Sequence, residues 1–125
     1  MRDIDKEEIL NRYIEDPREL DKMLLSILEP EAVELVYEKL PLVLDELELF
    51  EVKFALAVYY TFRGFPVPGA PTWEETTRGG VNSRITLEGA KKIIMFIRKL
   101  SRERRKRYGR RVDRIFFFQK PEEFI

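Results

Sequence analysis

The chain reads as a mainly α fold, a single compact bundle of four to five helices with a small C-terminal β element, a strand or hairpin. Three observations predict it. Apolar residues recur at three- and four-residue spacing over several segments. Prolines, glycines and short polar residues stand where those segments should begin and end. One β-branched and aromatic stretch, Val112 to Phe118, departs from that spacing and reads as a strand. The 125 residues, 44% of them apolar, suit one domain that buries roughly two-thirds of its unfolded surface.

Asp3 or Asp5 can cap a first helix whose apolar stripe is Ile9, Leu10, Tyr13 and Ile14. A stronger start follows at Asp16, with Pro17 at the first helical position and Glu19 three residues after the cap. Leu20, Met23, Leu24, Ile27 and Leu28 then line one face. Pro30 opens a third helix, with Val33, Val36, Tyr37 and Leu40 inward, and Pro41 is expected to end it. A fourth runs from Leu42 or Asp45 to Arg63, with Gly64 as its left-handed stop. Its segment Phe54 to Tyr60 is apolar all round, which marks the central buried helix. Gly64 to Pro71 cannot be regular. Thr72 can cap a short helix, Trp73 to Arg78, before Gly79 and Gly80. Thr86 caps a long helix with Leu87, Ala90, Ile93, Ile94, Ile97 and Leu100 on its buried face. That helix either continues to Tyr108, stopping at Gly109, or ends near Ser101 and gives way to a hairpin. Pro121 closes the strand, and Phe124 and Ile125 can anchor the end. Within the single domain, residues 1–63 thus form an acidic helical half, 64–85 a Pro/Gly-rich loop, and 86–125 a basic helix plus strand.

A neutral total of 23 bases and 23 acids conceals opposed halves. Residues 1–62 hold 16 acids and 7 bases, and residues 63–125 hold 7 acids and 16 bases. Such segregation points to an interaction surface. Histidine and cysteine are absent, which removes imidazole triads, thiolate metal sites and disulfides. No cofactor or metal is expected. No apolar run approaches the ~20 residues of a membrane span, and no signal-like segment follows Met1. The expectation is a cytoplasmic protein with no membrane partner. Few amide side chains (Asn11, Asn82, Gln119) and abundant charge also resemble a heat-adapted composition.

The basic run carries the main functional expectation. Lys91, Lys92, Arg98, Lys99, Arg102, Arg104, Arg105, Lys106, Arg107, Arg110, Arg111 and Arg114 face only Glu103 and Asp113. Helix-dipole stabilisation is confined to the last turn and cannot account for so many. Like charges at i,i+4, such as Arg98/Arg102 and Arg102/Lys106, each cost about 0.2–0.5 kcal/mol in a helix. Arginine predominates, and its planar fork suits bidentate phosphate contact. Tyr108 can stack on a base or sugar. The run therefore predicts nucleic-acid binding, to DNA or RNA. Opposed halves attracting between copies, giving a homo-oligomer, are the alternative.

Three further features bear on chemistry. The loop holds Arg78, Gly79, Gly80, Asn82, Ser83 and Arg84, which could cradle a phosphate through amides and guanidinium groups, although no Gly-Lys-Ser/Thr follows. Trp73 is expected to pin this loop to the core. Thr72 to Leu100 resembles a helix-turn-helix, and Arg102–Tyr108 with Arg111–Phe118 would then make a winged-helix-like C-terminal half. Its recognition face would be Asn82, Ser83, Arg84, Glu88, Lys91 and Lys92, although the turn, Gly79 to Ile85, exceeds the usual three or four residues. Finally, Glu31/Glu34 and Asp45/Glu48 are carboxylate pairs at i,i+3. Their arrangement resembles the all-helical nucleotide pyrophosphatases, which implies Mg²⁺ held by oxygen ligands as a weaker enzymatic reading.

Overall fold

Local capping chemistry starts nearly every helix of the computed structural model, which describes residues 8, 11–80 and 82–108. Residues 11–15 are helical and run into Asp16. The Asp16 side chain accepts the Arg18 amide at 3.0 Å and begins α1, Pro17–Ile27, which buries Leu20, Leu24 and Ile27. α2, Pro30–Glu34, continues into a π turn, Leu35–Lys39, and a 3-10 turn, Leu40–Leu42. α3, Glu46–Phe62, opens with a full capping box between Asp45 and Glu48. α4, Trp73–Thr76, is capped by Thr72, and α5 is the 22-residue helix Leu87–Tyr108.

α3 is the centre of the bundle. It packs against α1 on one side and α5 on another, and α5 also meets α2 and α4. From Phe54 to Tyr59 every residue of α3 is buried, as the uninterrupted apolar stretch requires. Leu24, Ile27, Leu28, Phe54, Ala57, Val58, Ile94 and Ile97 share one core. A polar knot ties three elements at its edge. Tyr37 donates to the Asp21 carboxylate, Lys53 pairs with the same carboxylate at 3.3 Å, and the Lys53 ammonium lies 4.5 Å from the Tyr37 ring centre. Among the described residues no helix is long and apolar enough to cross a membrane.

The structure departs from the sequence expectations at four places. Pro41 does not end a helix by pushing Leu40 out of helical dihedrals, since Leu40 stays helical at φ −62°, ψ −36°. The chain instead widens one turn, so that the Leu40 amide reaches back to the Leu35 carbonyl, which makes room for a ring that lacks an N–H. The left-handed stop of α3 is Arg63 (φ 56°), not Gly64. Gly64 N–H bonds to the Tyr59 carbonyl and Arg63 N–H to the Tyr60 carbonyl, closing a Schellman motif one residue earlier than expected. The short helix stops at Thr76, where the Thr77 hydroxyl and amide both turn back to the Trp73 carbonyl. Arg102–Tyr108 is helix and not the first strand of a wing. The expected strand Val112–Phe118 and the first-helix residues Asp3, Asp5, Ile9 and Leu10 lie outside the described residues, as do Gly109, Pro121, Phe124 and Ile125.

The 64–85 loop is held by contacts with no local signature. Leu28 and Ile85 form a parallel bridge, with Glu29 N–H to the Ile85 carbonyl at 2.9 Å and Ile85 N–H to the Ile27 carbonyl at 2.7 Å. Tyr59 donates to the Pro71 carbonyl at 2.7 Å, and Thr76 donates to Tyr59 at 3.1 Å. Trp73 lies against Tyr59 and Tyr60, at 6.5 and 5.3 Å between ring centres, and so pins the loop. Gly89 makes the last joint. A Cβ there would sit 2.1 Å from the Thr76 carbonyl oxygen, so only glycine lets α4 lie directly on α5.

Candidate nucleic-acid interface

One side of α5 is committed to the core and the other to solvent. Ala90, Ile93, Ile94, Ile97 and Ser101 are buried, while Lys91, Lys92, Met95, Arg98, Lys99, Arg102, Glu103 and Lys106 are exposed. The three- and four-residue spacing of both sets is the helical repeat itself. The basic side chains thus share one stripe, which runs about 22 Å from Lys91 to Lys106 at 1.5 Å per residue. Lys91 pairs with Glu88 at 3.5 Å. Among the described residues, Lys92, Arg98, Lys99, Arg102 and Lys106 form no ion pair. Arg104, Arg105, Arg107 and Tyr108 continue the helix, and their side chains lie outside the described set. Arg110 and Arg111 lie outside it altogether.

The acidic half approaches this stripe at one small cleft of about 90 Å³, where Glu48 and buried Glu51 of α3 line the same space as Arg98, Arg102 and Ser101. Among the described residues, Glu48 makes no ion pair with either arginine. Glu48 is already engaged at the head of α3, where its carboxylate accepts the Asp45 amide at 3.3 Å.

The loop residues are used differently. Arg78 forms a two-pronged bond with Glu29, Nε to Oε2 at 2.7 Å and Nη2 to Oε1 at 3.0 Å. The guanidinium holds the Glu29 carboxyl below the usual glutamate range, with Arg84 adding to the same field, and Glu29 in turn raises Arg78. Arg84 itself is exposed. Three amides of the candidate phosphate cradle are engaged inside the loop. Arg78 N–H goes to the Ser83 hydroxyl, Gly79 N–H to the Thr77 hydroxyl and Ser83 N–H to the Gly80 carbonyl. Ser83 also accepts from Tyr60 through its carbonyl at 3.3 Å. Asn82 stays exposed, and Glu88 and Lys91 are taken up with each other. The loop is a clamp joining α1, α3 and α5.

No protein-family model, curated protein or solved structure matches the chain. Function therefore rests on side-chain geometry. Three of the four paired carboxylates carry structural tasks. Asp45 and Glu48 make the α3 cap, and Glu34 pairs with Lys39 at 3.9 Å. Among the described residues no group of three or more acids is placed to hold a metal ion.

One exposed residue of the stripe was not among the sequence-derived contact residues. Met95 is 71% exposed in the middle of it. Its spacing from Lys91, Lys92, Arg98 and Lys99 could have placed it there, since it was left off the buried face.

Proposed function

We propose that the protein binds nucleic acid by contacting phosphates along the exposed face of α5, as a regulator or an accessory subunit of a nucleoprotein complex. The observation that carries this reading is the stripe itself. Lys92, Arg98, Lys99, Arg102 and Lys106 share a solvent-facing side and, among the described residues, have no acidic partner. Like charges at i,i+4 within it destabilise the free helix by about 0.2–0.5 kcal/mol per pair. An array of phosphates removes that repulsion and releases its own counterions. Arg84 and the further basic residues Arg104, Arg105, Arg107, Arg110 and Arg111 belong to the same proposal. Arg78 is better read as a clamp for the loop.

The test is the triple change Arg98→Gln, Arg102→Gln, Lys106→Gln, followed by fluorescence anisotropy across a salt series. All three side chains are exposed, so the fold is expected to persist. Three lost contacts should flatten the log–log salt slope on duplex DNA by about 2.7, at roughly 0.9 per phosphate, with little dependence on sequence. Absence of binding by the unaltered protein at low salt would refute the reading, as would an unchanged slope. A particle mass that falls as salt rises would instead favour attraction between the acidic and basic halves of neighbouring copies.

A further inference from the structure

We infer that the open groove between the 69–71 turn and α5 receives an unstacked base of a single strand, and that Glu75 selects a base carrying an exocyclic amino group. The inference rests on the phosphate-binding reading above and adds a base site to it. The groove measures about 330 Å³ and is lined by Ala70, Pro71, Glu75, Lys92, Met95 and Phe96, with Gly69 at its edge. Lys92 and Met95 belong to the basic stripe as well, so groove and stripe are one continuous surface.

Met95 gives the first reason. A methionine that exposes 71% of its surface among lysines and arginines is poorly explained as part of a purely electrostatic face. It suits the flat apolar face of a ring, to which a thioether is attracted. Phe96 and Pro71 supply the other walls, and both are held in place. Phe96 stacks on Phe65 at 6.2 Å, and the Pro71 carbonyl accepts from the Tyr59 hydroxyl at 2.7 Å. A preformed site avoids the ordering cost that weakens binding to mobile surfaces. Lys92 stands at the groove, and Arg98 and Lys99 follow about 9–10 Å along the helix axis. A strand that places one base in the groove can therefore keep its neighbouring phosphates on the stripe. A paired base in a duplex cannot enter without leaving its stack.

Glu75 sets the second part. An ionised carboxylate only accepts hydrogen bonds. At the exocyclic position it matches the amino group of cytosine, adenine or guanine and meets the O4 carbonyl of thymine or uracil as acceptor against acceptor, and the single N3–H donor of thymine keeps the preference to a few-fold. Cytosine and thymine are the fair comparison, being of similar size.

The test measures the affinity of the whole chain for three labelled strands of equal length, about twelve nucleotides: oligo-dC, oligo-dT and an abasic strand with the same phosphates. The unaltered protein should bind oligo-dC about tenfold more tightly than the abasic strand, the stacking contribution of one base. It should favour oligo-dC over oligo-dT by about fivefold. Glu75→Ala removes a negative charge and should tighten oligo-dT and the abasic strand, with oligo-dC gaining about fivefold less, so that the dC/dT ratio falls to about one. Met95→Ser should bring the intact strands toward the abasic one without disturbing the core. Equal binding of intact and abasic strands by the unaltered protein would overturn the base site and leave the phosphate reading standing. A dC/dT ratio that survives Glu75→Ala would overturn the role of Glu75. No binding of any strand at low salt would overturn both readings.

Discussion

Replacing Gly89 with alanine adds one methyl group where α4 lies on α5. That carbon would stand 2.1 Å from the Thr76 carbonyl oxygen, 2.5 Å from its Cα and 2.6 Å from its carbonyl carbon, whereas ordinary contact begins at 3.4 Å. All three obstructing atoms are backbone, so no side chain can rotate away. The two helices must part by roughly 1 Å. Overpacking of this kind typically costs about 1–3 kcal/mol, and separation also stretches the 3.0 Å bond from Thr86 N–H to the Thr76 carbonyl, worth about 1 kcal/mol. Alanine returns at most about 1 kcal/mol of helix propensity. The net expectation is a loss of about 1–3 kcal/mol, which in a domain of this size lowers the melting temperature by roughly 3–15 °C. Circular dichroism on heating reads this directly. Gly80→Ala is the control, because a Cβ there meets nothing within 4 Å, and it should stay within about 0.5 kcal/mol of the parent. If Gly89→Ala melts at or above the parent temperature, α4 does not rest on α5 as described, and the anchoring of the basic helix must be reconsidered.

Two pH-dependent contacts give further tests. Tyr37→Phe should cost about 1–2 kcal/mol in denaturant unfolding, since it removes a donor to the Asp21 carboxylate at a half-exposed site. Burial and that carboxylate raise the Tyr37 hydroxyl above the ordinary tyrosine value. Its contribution is therefore complete below about pH 10 and is lost as pH rises through the higher folded value. An alkaline absorbance titration unchanged by Tyr37→Phe, together with unchanged stability, would refute this. For Glu29 the sign is opposite. Arg78 depresses its folded pKa, so the coupling seen in a Glu29→Gln, Arg78→Gln double-mutant cycle should be present at neutral pH. It should vanish as pH falls below about 4.3 and through the folded value. Equal coupling at neutral and strongly acid pH would show that charge does not hold the loop.

What could be read from the sequence was local. The caps at Asp16, Thr72 and Thr86 all form the bonds their side chains predict, each within three residues of its partner. The core face of α5 follows from spacing alone. What escaped depends on residues distant in sequence. Arg78 and Glu29 stand 49 positions apart, and no pattern in either segment announces their pairing. The Leu28–Ile85 bridge and the Gly89–Thr76 contact are of the same kind. The end of α5 was open for a different reason. Beyond Leu100 the basic run has no apolar residue before Tyr108, and repulsion between like charges argues against helix, so periodicity had nothing to report. The candidate groove was illegible because its far wall is a loop whose position depends on Tyr59, Phe65 and Phe96 meeting in three dimensions.

The placement of charge along α5 has a physical logic that bears on binding. Burial of Ala90, Ile93, Ile94 and Ile97 anchors the first half of the helix against α3, and Ser101 is its last buried residue among those described. Each fully buried isoleucine contributes about 1.5–3 kcal/mol, several times the repulsion of one i,i+4 cation pair at about 0.2–0.5 kcal/mol. The anchored half can therefore carry a repulsive extension without losing the helix. A cationic surface stabilised by pairing would instead interleave acids at i,i+3 or i,i+4, as Glu88 does with Lys91. Glu103 is the single acid from Arg98 to Arg107. Repulsion retained on a face held rigid by the core is free energy that an anion can recover on binding. A phosphate chain would meet those cations on a backbone already ordered, and association would have to order only their side chains. The same anchoring fixes Lys92 and Met95 beside the Pro71 wall, so the geometry of the groove and that of the stripe stand or fall with the Gly89 joint.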